Sequence, residues 1–125
     1  QIRDERKMWH PFKRMVRERK EHRITDILKY SWPYLPYTKS HGEMTLNAGN
    51  VVAYYKSGCD GVIDISPFTC MNGIVSQVVY PRISEDHDHI PVRTFYFDGV
   101  PFDLEGDLEI FMEMVLSYRK RRLYP

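Results

Sequence analysis

Cys70 sits in the segment Gly61-Val-Ile-Asp-Ile-Ser-Pro-Phe-Thr-Cys-Met-Asn-Gly73, where residue types and spacing come closest to chemistry. The β-branched run Val62 to Ile65 reads as a buried parallel strand. It stops at Pro67, which has no amide to give a ladder. From Gly73 the apolar residues Ile74, Val75, Val78 and Val79 follow helical spacing. The sequence therefore places Cys70 on a strand-to-helix turn at the carboxyl edge of a sheet, where open α/β sheets hold ligands. The partial positive charge of a helix N-terminus favours thiolate over thiol. A thiolate there can ligate a metal, carry electrons or attack an electrophile. The amides of Met71, Asn72 and Gly73 can cradle an anion or hydrogen-bond sulfur. The plainer alternatives are a turn and a cysteine that packs as a small hydrophobe.

Other polar groups carry less. Cys59 precedes the strand that Cys70 follows, and about 17 Å of strand between them exceeds the roughly 7 Å reach of a disulfide. Neither a Cys59–Cys70 bridge nor a shared single metal is expected. Cys59 follows Gly58 and reads as a packing residue. Asp64 falls in mid-strand, where a carboxylate needs a partner or a site. Asp86-His-Asp-His89 has metal-capable side chains, but they alternate along a polar loop, whereas zinc wants convergent ligands. His10, His22 and His41 form no pattern.

The elements that must position Cys70 follow from hydrophobic periodicity. Residues 3 to 23 read as a basic helix, interrupted at Pro11, with Met8, Phe12, Met15 and Val16 as a thin apolar stripe. Residues 24 to 41 form a connection rich in proline and aromatics, with a short helix at Ile24 to Tyr30. Residues 42 to 125 form the α/β part. It begins with a helix over Glu43–Lys56 (Met44, Ala48, Val51, Val52 and Tyr55 on one face), stopped at Gly58. The Val62 strand follows, then a helix over about 72 to 83 that Pro81 should kink or shorten. A second strand spans Ile90 to Phe97. A last helix is capped by Asp103, with Leu104, Leu108, Phe111, Val115 and Tyr118 in a stripe. Helix, helix, strand, helix, strand, helix defines an α/β, Rossmann-like three-layer fragment with a short parallel sheet joined by a right-handed crossover. Two parallel strands make a poor sheet, so the fragment is expected to belong to a larger domain, which suits a chain opening on Gln1.

With 125 residues the chain has room for one domain. No run of residues is apolar enough for a membrane span, and the charged start has no signal-peptide core. The net charge of +1 hides basic ends, Arg3 to Arg23 and Arg119 to Arg122, around an acidic middle. Such ends fit a solvated or self-complementary surface better than a nucleic-acid interface. No glycine-rich phosphate loop is present. A cytoplasmic location follows from these features.

Gly42-Glu-Met-Thr-Leu-Asn-Ala-Gly49, Gly58-Cys-Asp-Gly-Val-Ile-Asp-Ile-Ser-Pro-Phe-Thr-Cys-Met-Asn-Gly73 and Ile90-Pro-Val-Arg-Thr-Phe-Tyr-Phe-Asp-Gly99 appear in this order. The succession, over roughly residues 30 to 116, resembles the C-terminal domain of the activase-related proteins of 2-hydroxyacyl-CoA dehydratases. Where that family usually has proline, this chain has Asn72. The resemblance implies an anaerobic system in which an ATP-hydrolysing iron–sulfur activator feeds an electron to a dehydratase. By that likeness Cys70 would be one ligand of an iron–sulfur cluster whose other cysteines come from the remainder of the parent polypeptide. The turn Met71–Gly73 would lie beside the cluster. The chain alone would have no turnover, and its partners would be a dehydratase or activator subunit. The alternative is a non-catalytic module that docks such a partner through its basic helix, with Cys70 structural.

Overall fold

The computed structural model describes residues 22–35, 43–100 and 103–124. The expected basic helix over residues 3 to 23 lies almost wholly outside them. Within them the chain forms four helices and two strands: α1 (Ile24–Ser31), α2 (Met44–Lys56), β1 (Val62–Pro67), α3 (Met71–Asp86), β2 (Val92–Phe97) and α4 (Leu104–Leu123). The two strands are parallel, in register from Val62 opposite Val92 to Pro67 opposite Phe97. The molecule is thus a mixed α/β fold around a short parallel sheet, in the element order the periodicity requires.

α2 ends as its sequence dictates. Gly58 takes φ 83°, and the amides of Gly58 and Cys59 return to the carbonyls of Tyr55 and Tyr54, the pairing of a Schellman motif. α1 folds back against α2 at Gly49, where a Cβ would lie 2.1 Å from the Ile27 carbonyl oxygen. Only glycine permits that approach. α4 begins at Asp103, whose Oδ1 accepts the Gly106 amide at 3.0 Å. Its acidic first turn (Glu105, Asp107) and basic last turn (Lys120, Arg121, Arg122) complement the helix dipole.

The core joins Ala48, Val51 and Val52 of α2, Val62 of β1, Tyr80 and Ile83 of α3, Ile90 and Tyr118. Ile83 and Ile90 are fully buried, each contributing about 1.5–3 kcal/mol. α3 packs on the face of β1 that carries Asp64 and Ser66: the Tyr80 hydroxyl donates to Asp64 Oδ2 at 2.8 Å. α4 reaches the other face through Asp107, which holds Arg93 at 3.3 Å.

Four expectations need correction. Pro81 does not shorten α3, which runs on to Asp86, because buried Tyr80 and Ile83 pin the turns on either side of it. β2 starts at Val92 instead of Ile90, since Ile90 is committed to the core and Pro91 offers no amide. The buried face of α3 is Gly73, Ser76, Tyr80 and Ile83, whereas Ile74 and Val78 are exposed. Small residues, not the aliphatic ones, let the helix sit close to the sheet. Finally, β1 is not buried on both faces. Ile63 and Ile65 are exposed, because no described layer covers that part of the sheet.

Candidate functional site at the carboxyl edge of the sheet

β1 runs into a turn that delivers Cys70 to the head of α3. The Phe68 amide still pairs with the Phe97 carbonyl at 3.0 Å, and the Cys70 amide closes back on the Pro67 carbonyl at 3.1 Å. Between them Thr69 has φ 65°. This left-handed conformation is uncommon for any side chain and an outlier for a β-branched one, costing on the order of 1–3 kcal/mol. Strain of this kind is characteristic of residues that aim a neighbour at a site. Here the neighbour is Cys70, the N-cap residue of α3 with extended backbone, φ −67° and ψ 116°.

The thiol is partly exposed. It makes no full capping hydrogen bond. Even so, the amide of Gly73 first, then that of Asn72, and after them the Ser66 hydroxyl hold its pKa below the ordinary thiol value, against the opposing effects of burial and, least, of Glu43. This supports thiolate, the form that ligates metal or attacks. The geometry depends on Gly73, where a Cβ would stand 2.2 Å from Ser66 Oγ and 2.8 Å from Ser66 Cβ. Of the apolar residues near Cys70 in sequence, Phe68, Met71 and Ile74 are all exposed, and Phe68 meets the ring of Tyr96 edge-on at 6.4 Å.

Of the residues singled out in the sequence, the fold brings Cys70, Met71, Asn72 and Gly73 together. It places Cys59 at the other end of β1. There burial, and then Asp60, raise its pKa, while Arg122 works the other way. Asp64 has the partner its position required, Tyr80, whose own pKa is raised by burial first and by that hydrogen bond second. The Asp86–His89 segment is spent on local structure. His87 Nδ1 lies 2.8 Å from the Ile83 carbonyl, Asp88 accepts the Tyr55 hydroxyl, and Asp88 and His89 both have positive φ. Among the described residues no group of three or more His, Cys, Asp or Glu side chains could hold a metal. No helix among them is long and apolar enough to cross a membrane.

Two features were not anticipated from sequence. One is a charge cluster beside Cys59, where Arg122 Nη2 approaches Asp60 Oδ1 to 2.8 Å at an angle outside hydrogen bonding. Arg122 Nη1 also donates to the Gly58 carbonyl at 3.2 Å. The second is a cleft of about 960 Å³ lined by residues including Tyr80, Pro81, Ile90, Arg93, Thr94 and Glu113. Cys70 does not line it, so this cleft and the thiol with the lowered pKa are separate. Their signals lay in residues far apart in sequence, which no local period links.

No protein-family model, curated protein or solved structure matches the chain.

Proposed function

We propose that the chain is a Rossmann-like domain of an activator-related protein of the 2-hydroxyacyl-CoA dehydratase system, with Cys70 as one ligand of an iron–sulfur electron-transfer site completed by other segments. The single observation that carries this reading is the setting of Cys70. It is a partly exposed thiol whose pKa is lowered by the amides that open α3, at the carboxyl end of a parallel strand. The order of the Gly42–Gly49, Gly58–Gly73 and Ile90–Gly99 segments supports it. A bound cluster would supply one-electron transfer. This chain's part is to favour the deprotonated Cys70 sulfur, with the Gly73 and Asn72 amides facing it. The domain works in the cytoplasm beside a dehydratase or activator subunit and has no turnover of its own. Anaerobic reconstitution of the polypeptide that carries this chain, wild type beside Cys70→Ser, tests the reading by optical and EPR spectra. A changed or lost cluster signal in the variant is expected, and identical spectra would remove Cys70 from the ligand set.

The exposed apolar row Met71, Ile74 and Val78 on α3 favours a second reading, a docking module in which Cys70 is structural. Ile74→Glu with Val78→Glu should then abolish capture of the dehydratase or activator partner, as should reversing the charges of Arg14, Arg17 and Lys20 where the basic helix is the contact. Undiminished capture by both variants would refute the docking reading.

A further inference from the structure

β1 has an open edge whose chemistry can be read from the register. The Val62 amide bonds the Pro91 carbonyl at 2.9 Å and the Phe68 amide bonds the Phe97 carbonyl at 3.0 Å. In a parallel ladder alternate residues bond to the same neighbour. Val62, Asp64 and Ser66 therefore turn their peptide groups toward β2, and Ile63 and Ile65 turn theirs the other way. Among the described residues nothing pairs with those outward groups. The edge is also unguarded. β2 carries Arg93 near its start, ion-paired to Asp107, and Pro91 before it, devices that discourage pairing. β1 shows instead Ile63, 40% exposed, and Ile65, 70% exposed.

Topology says what direction a neighbour would take. α2 and α3 lie side by side, with Asn47 Nδ2 donating to Ser76 Oγ at 3.3 Å. Right-handed crossovers then put a strand feeding α2 on the far side of β1, parallel to it. Among the described residues α1 precedes α2 and folds back onto Gly49, and none of them forms a strand in that position. Charge says what the neighbour is not. In a second copy pairing antiparallel, Ile63 against Ile65, the two Asp64 residues would face each other at about 4.5 Å, and like charges directly opposite are destabilising. Asp64 gives one oxygen to Tyr80, and an opposite charge facing it is the pairing a sheet favours.

We infer that the outer edge of β1 receives one further parallel strand from another polypeptide segment, apolar and extended, with a single cationic side chain opposite Asp64. This holds whether or not Cys70 ligates metal. The test mixes the full chain with a capped peptide of alternating valine and threonine bearing one central lysine, and follows amide exchange residue by residue. Exchange at Ile63 and Ile65 should slow about tenfold or more, with Asp64 and Ser66 unchanged. Ile65→Pro removes only an outward donor and should abolish the slowing; Ile63→Lys should do the same without touching the backbone. A spin label on the peptide's carboxyl end should broaden Met71, and broadening of Gly61 instead would overturn the parallel direction. No slowing at saturating peptide would overturn the inference. So would slowing at Val92, Thr94 and Tyr96, or slowing that grows with protein concentration alone, which would mean a second copy.

Discussion

At each end of β1 a left-handed residue is followed by a cysteine, Gly58 before Cys59 and Thr69 before Cys70. The two turns differ in what they expose. At the first, glycine takes φ 83° without strain, the Cys59 amide is consumed in ending α2, and burial beside Asp60 raises the thiol's pKa. At the second, threonine takes φ 65° under strain, and the amides that open α3 lower the pKa of the thiol. One residue type thus has its thiol pKa raised at a helix end and lowered at a helix start. The lowering comes from the free amides nearby, not from cysteine itself.

The contrast can be broken most severely at Gly73. Gly73→Ala forces a Cβ into Ser66, an overpacking worth about 1–3 kcal/mol. Urea unfolding should show that loss, and the Cys70 pKa, followed by thiolate absorbance, should climb toward that of Cys59. A stable variant with an unmoved pKa would mean that the close approach does not set the site.

Alkylation at pH 7 reads the difference directly. Cys70 should react about tenfold faster than Cys59, and Cys70→Ser should leave only the slow phase. Equal rates would erase the distinction between the two ends.

Linkage gives the two cysteines opposite signs. Cys70 has a folded pKa below its unfolded value, so its contribution grows as pH rises from the folded pKa to the ordinary thiol value of 9.0 and is lost as pH falls. Cys59 has a folded pKa above its unfolded value, so its contribution is complete below that value and lost as pH rises past it. Stability followed through this alkaline range should therefore decline more steeply in Cys70→Ser and less steeply in Cys59→Ala than in the wild type.

Thr69→Gly relieves the strained turn and should stabilise by about 1 kcal/mol, in calorimetry, whereas Gly58→Thr should destabilise. The smallest effect belongs to Arg122→Gln. Its ion pair with Asp60 is partly exposed and worth under about 1 kcal/mol. Removing it should still raise the Cys59 pKa further and leave Cys70 unchanged.

Much of this arrangement was legible because it is local. The turn residues Gly58, Pro67 and Asp103 mark element ends by their own backbone chemistry, and the apolar periods place α2, α4 and both strands. The course of α3 was not legible. Its aliphatic residues Ile74 and Val78 suggested the buried side, yet the sheet accepts Gly73 and Ser76, because close approach rewards small size over hydrophobicity. Pro81 signalled a break, and the burial of its neighbours overrode it. Asp64 announced a need for a partner without saying which. Tyr80 answers it from sixteen residues away, a distance bridged only when the helix crosses the strand. The position of Cys70 on its turn and the amides that open the next helix were readable; how closely Gly73 settles against Ser66 was not.

Gly73 also decides which party must adjust when the sulfur meets anything. With Ser66 pressed against its bare Cα, the first turn of α3 has no slack to slide, tilt or withdraw. This jaw is fixed, and accommodation falls to whatever closes on it.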